Sequence, residues 1–199
     1  MIMVVALVAS ADPATPPSAK APAKASAGPS HPADSGTTTP SSPPAGPSPS
    51  SRGFEVPQGW TYHADPSGFQ IAVPRGWSQS KEGTMVYFRE PGGGRALGID
   101  QTRTPRPDPV ADWTKQEISR SKRLRDYQRV KIEKVDYFLN CADWEYTYSS
   151  SGTRLHVLDR GFITAADRAY AIFWLVPDAR WQESLGMFEI FAESFKPAS

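Results

Sequence analysis

Apolar and polar positions alternate with two different periods along the C-terminal three-quarters of the chain, and the switches between them mark out the elements. Phe69-Gln-Ile-Ala-Val73 has the period-2 pattern of a strand. On either side of it, Pro57-Gln-Gly-Trp60 and Pro74-Arg-Gly-Trp77 repeat one turn signal. It reads as type II, with proline at the second corner and glycine at the third, where φ is positive. Residues 85–89 and 95–102 flank Glu90-Pro-Gly-Gly-Gly94 and read as a hairpin. Asp108-Pro109 predicts a helix start, with Asp108 as N-cap and proline at the first helical position. Asp112 suits the positive end of that helix, and Arg120, Lys122, Arg123 and Arg125 suit the negative end as a solvated basic run. Strands are then expected over 127–137, 142–149, 153–163 and 169–176, the last three forming a meander. A second helix is expected from an Asp178 cap to about residue 195, because Trp181, Leu185, Phe188, Ala192 and Phe195 recur at helical spacing. Ile190 falls opposite that stripe. The order β-β-β-α-β-β-β-β-α predicts an α+β fold, an antiparallel sheet of about six or seven strands with two main helices packed on it.

The meander fixes its own geometry. A two-residue turn at Ser151-Gly152 sets Asp143 across from Arg160, Thr147 across from His156 and Trp144 across from Asp159. One face then carries Ala142, Trp144, Tyr146 and Tyr148 opposite Gly161, Asp159, Val157 and Leu155. If Ala165-Ala166 centres the next turn, Tyr170, Ile172, Trp174 and Val176 continue that face as the main core. Asp159 is its one charged member, expected to be satisfied by an indole N–H or an arginine, or else to face a ligand in a pocket. The opposite face would be a polar surface. The candidate ligand-binding residues are therefore Asp143, His156 and Arg160, with Asp159 on the other side.

Composition confines the fold to part of the chain. All 22 aromatic residues lie at or beyond Phe54, and no core forms without large apolar side chains. Residues 54–199 are the expected domain. Residues 12–53 are Pro-, Ser-, Ala- and Thr-rich and predict a disordered stalk spanning up to ~130 Å if extended. Residues 1–11 open with Met-Ile-Met-Val-Val-Ala-Leu-Val-Ala, too short for a bilayer span. They read as a truncated signal peptide or the outer end of a membrane helix, and so as a membrane tether and a mark of export. The first 53 residues hold three of the 22 basic and two of the 21 acidic side chains, which leaves 19 of each in the domain. That neutrality gives no electrostatic case for nucleic acid.

The usual chemistry is missing. Cys141 is the only cysteine, so no disulfide, redox pair or cysteine-based metal site arises within the chain, and three histidines are too scattered for a metal cluster. No nucleophile elbow, zinc-binding helix, phosphate loop or dinucleotide fingerprint occurs. A Cys141–His156 dyad fails on strand geometry, which separates the two by ~20 Å. A triad of the 149–151 serines, His156 and Asp143 lacks an oxyanion hole. The expectation is a non-enzyme with no catalytic residue, no metal and no cofactor.

Gly68-Phe-Gln-Ile-Ala-Val-Pro-Arg-Gly-Trp77, Gly98-Ile-Asp-Gln-Thr102, Asp108-Pro-Val-Ala-Asp-Trp113, Ala142-Asp-Trp-Glu-Tyr146 and Thr153-Arg-Leu-His-Val157 carry a resemblance. Together they resemble the extracytoplasmic C-terminal domain of actinobacterial receptor-type serine/threonine protein kinases and its stand-alone exported relatives. The resemblance covers roughly residues 60–197 and implies a PsbP-like α-β-α sandwich. Such kinases carry an N-terminal catalytic domain, and this sequence has no HRD, DFG or Gly-rich kinase loop. A detached tail of such a reading frame and a free-standing relative both fit. The function this implies is a non-catalytic extracytoplasmic sensor or binding domain of the cell envelope, monomeric, meeting an envelope ligand or protein. The alternative is a structural or accessory envelope protein without a small ligand.

Overall fold

The computed structural model describes residues 54–198. The expected tether and stalk lie outside the described residues. Nine strands and two helices follow in the order β1 (Trp60–Ala64), β2 (Gln70–Pro74), β3 (Ser78–Glu82), β4 (Met85–Arg89), β5 (Ala96–Thr102), α1 (Pro109–Arg120), β6 (Arg125–Val135), β7 (Asn140–Ser150), β8 (Thr153–Ala165), β9 (Arg168–Pro177) and α2 (Trp181–Ser194). The expected α+β fold holds. Seven strands form one antiparallel sheet in the order β3-β4-β5-β9-β8-β7-β6, and β1 and β2 form a separate ribbon. The sequence pattern missed β1 and β3. Ser78-Gln-Ser-Lys-Glu82 has no apolar residue to alternate, and it is a strand because each of its residues pairs with β4.

Both faces of the sheet are buried. On one, α2 and the β1–β2 ribbon enclose Leu97, Ile99, Leu158, Phe162, Tyr170, Ile172 and Trp174. On the other, α1 lies over β6 and β7 and encloses Trp113, Trp144, Tyr146, Val157 and Phe173. This is an α-β-α layering. Asp108 caps α1 as expected, its carboxylate accepting from the Ala111 N–H at 3.1 Å. Tyr62 and Tyr137 donate to the Ser194 and Ala192 carbonyls at the end of α2, at 2.5 and 2.6 Å. Those are carbonyls for which a helix C-terminus has no partner of its own.

Four expectations need correction. First, the Trp60 and Trp77 N–H groups donate to the Pro57 and Pro74 carbonyls, so each proline is the first corner of its turn. Gly59 and Gly76 are the third, with φ of 84° and 81°. Second, the β8–β9 turn centres on Ala166-Asp167, and an irregularity between Ile163 and Ala165 shifts the pairing. Asp159 therefore faces Phe173, and Ala171, Phe173 and Leu175 share its side of the sheet, while Tyr170, Ile172, Trp174 and Val176 lie under α2. A one-residue slip moves a whole strand's side chains to the other face. Third, Asp178 opens a short 3-10 turn instead of capping α2, which has no side-chain cap. Fourth, Arg120 is not part of a solvated basic end: it is buried and donates to the Tyr146 hydroxyl.

Helix α1 approaches the sheet closely because position 161 has no side chain. A Cβ there would lie 2.6 Å from the Trp113 ring, whose indole N–H donates to the buried Ala142 carbonyl at 3.1 Å. Gly161→Ala is therefore expected to lose about 1–3 kcal/mol by overpacking. Urea denaturation measures the loss, and a variant as stable as the parent would show that α1 yields freely.

Candidate functional site

The hairpin of β7 and β8 has the predicted register, with Asp143 across from Arg160, Trp144 across from Asp159 and Thr147 across from His156. Ser151 and Gly152 both have positive φ, as a two-residue type I′ turn requires. Asp143 and Arg160 meet in a bidentate pair, with Nε–Oδ1 and Nη2–Oδ2 both at 2.7 Å. The pair sits under a cover, since the guanidinium packs 4.9 Å from the Phe188 ring of α2 and 5.4 Å from Tyr137. His156 is buried as well. Its ring stacks on Trp181 at 3.7 Å, and its two nitrogens contact Glu145 and Asp178, each at 2.8 Å. Glu145 and Asp178 were not legible as its partners, because one comes from the facing strand and the other from the turn before α2.

Asp159 is fully buried on the α1 side, and neither carboxylate oxygen has a hydrogen-bond partner. The expected indole or arginine bond is absent. The Trp144 N–H goes to the Tyr127 hydroxyl instead, at 3.1 Å. Burial pushes the Asp159 carboxyl up to about 7, against the opposing pull of the Arg120 charge and with a further push from Asp100.

None of these groups makes a nucleophile–base pair. Both nitrogens of His156 are occupied by carboxylates. Cys141 is buried, and burial pushes its thiol up to about 12, so it stays protonated at neutral pH. Among the described residues, no group of His, Cys, Asp and Glu is placed to hold a metal ion, and no helix is long and apolar enough to cross a membrane.

A cleft of about 360 Å³ opens at one end of the sheet. Lys81 of β3, Thr84 of the β3–β4 turn, Gln101 of β5, Arg103 beyond it and Arg168 of β9 line it, together with Ser67 from the β1–β2 turn. The sequence gives no sign of this grouping. Its members are single polar residues at strand ends, and only the order β3-β4-β5-β9 brings them side by side. Beneath it Asp100 is fully buried, its Oδ1 accepting from the Thr84 hydroxyl at 2.6 Å and from the Gln101 N–H at 2.9 Å.

Comparison with known proteins supplies the context. The model of the serine/threonine kinase C-terminal domain matches residues 61–197. Among solved structures, the cyanobacterial PsbP protein CyanoP of Synechocystis sp. PCC 6803 superposes with a TM-score of 0.56 at 17% identity, over 74% of this chain and 98% of that one. The Ran-binding protein Mog1p of Saccharomyces cerevisiae does so with 0.52 at 8% identity, over 69% and 95%. At such identities the likeness is one of fold. No curated protein matches the sequence.

Proposed function

This chain belongs to the serine/threonine kinase C-terminal domain family, and from that premise we propose that it is a non-catalytic, extracytoplasmic binding domain. It meets a ligand or protein of the cell envelope, either as the sensing end of a membrane serine/threonine kinase or as a free-standing relative. The observation that carries this reading is the cleft at the sheet end. It has the volume of a small-ligand site and a lining of cations, hydroxyls and an amide. The buried pairs of Asp143, Arg160 and His156 support the same reading from the other side, since they are committed to packing β7, β8 and α2 together. The apolar start of the chain and its proline-rich spacer support the extracytoplasmic assignment.

Two measurements test it. Alkaline phosphatase fused after the domain is expected to be active in the host and β-galactosidase in the same place inactive; the reverse pattern would overturn the location. A host envelope fraction is expected to raise the unfolding temperature of the chain. An unchanged temperature would favour the structural or accessory role.

A further inference from the structure

We propose that the cleft at the β3–β4 end of the sheet is a site for an acidic sugar, a ring that carries a carboxylate or phosphate beside free hydroxyls. This rests on the reading of the domain as a binding module and names the chemistry of its ligand.

The charge comes first. Lys81, Arg103 and Arg168 reach one cleft from three separate segments, and no carboxylate lines it. Among the described residues neither Lys81 nor Arg168 is in an ion pair, and Arg103 has only Asp167 at 3.8 Å, both side chains being well exposed. Three like charges gathered with one exposed, distant carboxylate as their ion-pair partner repel one another, and an oxyanion between them reduces that repulsion and takes charge-assisted hydrogen bonds. The domain as a whole is neutral, so the effect is local and does not mark a general polyanion surface.

The hydroxyls narrow the class. Thr84 spends its only O–H proton on Asp100 at 2.6 Å, and Ser67 spends its own on Asp65 at 2.5 Å. Asp65 and Asp100 are both buried, so these anchors are fixed. A hydroxyl whose proton is committed has only lone pairs left to offer. At these two points the wall can accept hydrogen bonds and cannot donate them, which is of no use to a bare oxyanion and suits the O–H groups of a sugar. No large apolar or aromatic side chain lines the cleft, which removes the case for a lipid or a flat aromatic ligand.

The test follows backbone amide shifts of the full chain during titration with glucuronate, glucose 6-phosphate, glucose and inorganic phosphate. One or both acidic sugars are expected to move the amides of Gly83, Thr84 and Gln101. Glucose is expected to leave them in place, and inorganic phosphate to bind several-fold more weakly than the sugar phosphate. Whichever acidic sugar binds more tightly identifies the anion as carboxylate or phosphate. Arg168→Ala and Lys81→Ala should each weaken binding roughly tenfold with an unchanged unfolding temperature, and Arg125→Ala at the distant start of β6 should not weaken it. Equal binding of glucose, equal binding of inorganic phosphate, or full affinity in Arg168→Ala would overturn the assignment. If no probe binds while the envelope fraction still raises the unfolding temperature, the cleft assignment falls and the binding-module reading stands. If neither has any effect, both fall.

Discussion

Asp159→Asn is expected to stabilise the protein at about pH 8 by on the order of 3 kcal/mol and to flatten its stability between about pH 4 and 7. Asp159 is fully buried with neither oxygen hydrogen-bonded, and burial holds its carboxyl near 7 in the folded state, against ~3.9 in an unfolded chain. The folded state therefore binds more protons than the unfolded state between those two values. Stability linked to this group is full below about pH 4, falls as pH rises through the window, and is constant above it. A gap of about three units corresponds to ~4 kcal/mol, and the unsatisfied amide of asparagine takes back part of that. Asp65 and Glu90, whose carboxyls are held low by hydrogen bonds to Ser67 and Arg95 against the cost of burial, have the opposite dependence but are common to both proteins. Urea denaturation of parent and variant from about pH 4 to 8 isolates the Asp159 contribution as the difference. A difference that does not change with pH, or a variant less stable at the alkaline end, would show that the carboxylate is ionised and solvated in the fold.

Arg160→Ala is expected to act in the other direction, losing about 3–5 kcal/mol. The loss comes from Asp143, which stays buried beneath α2 without the two 2.7 Å bonds that balance its charge. The double variant Asp143→Leu, Arg160→Met removes both charges and keeps the volume, so it should recover most of the loss. Denaturant unfolding of the three proteins measures the coupling. A single variant within about 1 kcal/mol of the parent would identify the pair as a solvent-screened surface bridge.

At two places residues of fixed conformational meaning were enough. Ser151-Gly152 determines the β7–β8 pairing, and Asp108-Pro109 determines the start of α1. The β8–β9 turn has no such marker. Thr164-Ala-Ala-Asp167 allows centres one residue apart, and hydrophobicity does not choose between them because 169–176 is apolar at nearly every position. A strand buried on both faces has no polar side to set its register. The same fact explains why the candidate polar surface of Asp143, His156 and Arg160 is largely covered. Alternation separates two faces of a hairpin, but it does not reveal that α2, some twenty residues further on, lies over the more polar one. The residues of the cleft were invisible for a different reason. Each is an ordinary strand-end polar residue, and their grouping exists only in the sheet order.

The short β2 strand has a mechanical consequence. It is hydrogen-bonded on one side to β1, with Trp60 beside Pro74, and on the other to Lys196, which exchanges two 2.8 Å bonds with Gln70. Trp60 and Lys196, near the two ends of the folded domain, therefore grip opposite ends of one strand. Tension applied along the chain on both sides of the domain would run lengthwise through this three-ply patch. Its bonds would be loaded together in shear, with none peeled open singly. Because Ser67 in the β1–β2 turn is one wall of the sheet-end cleft, a pull on this ribbon would be felt at the cleft.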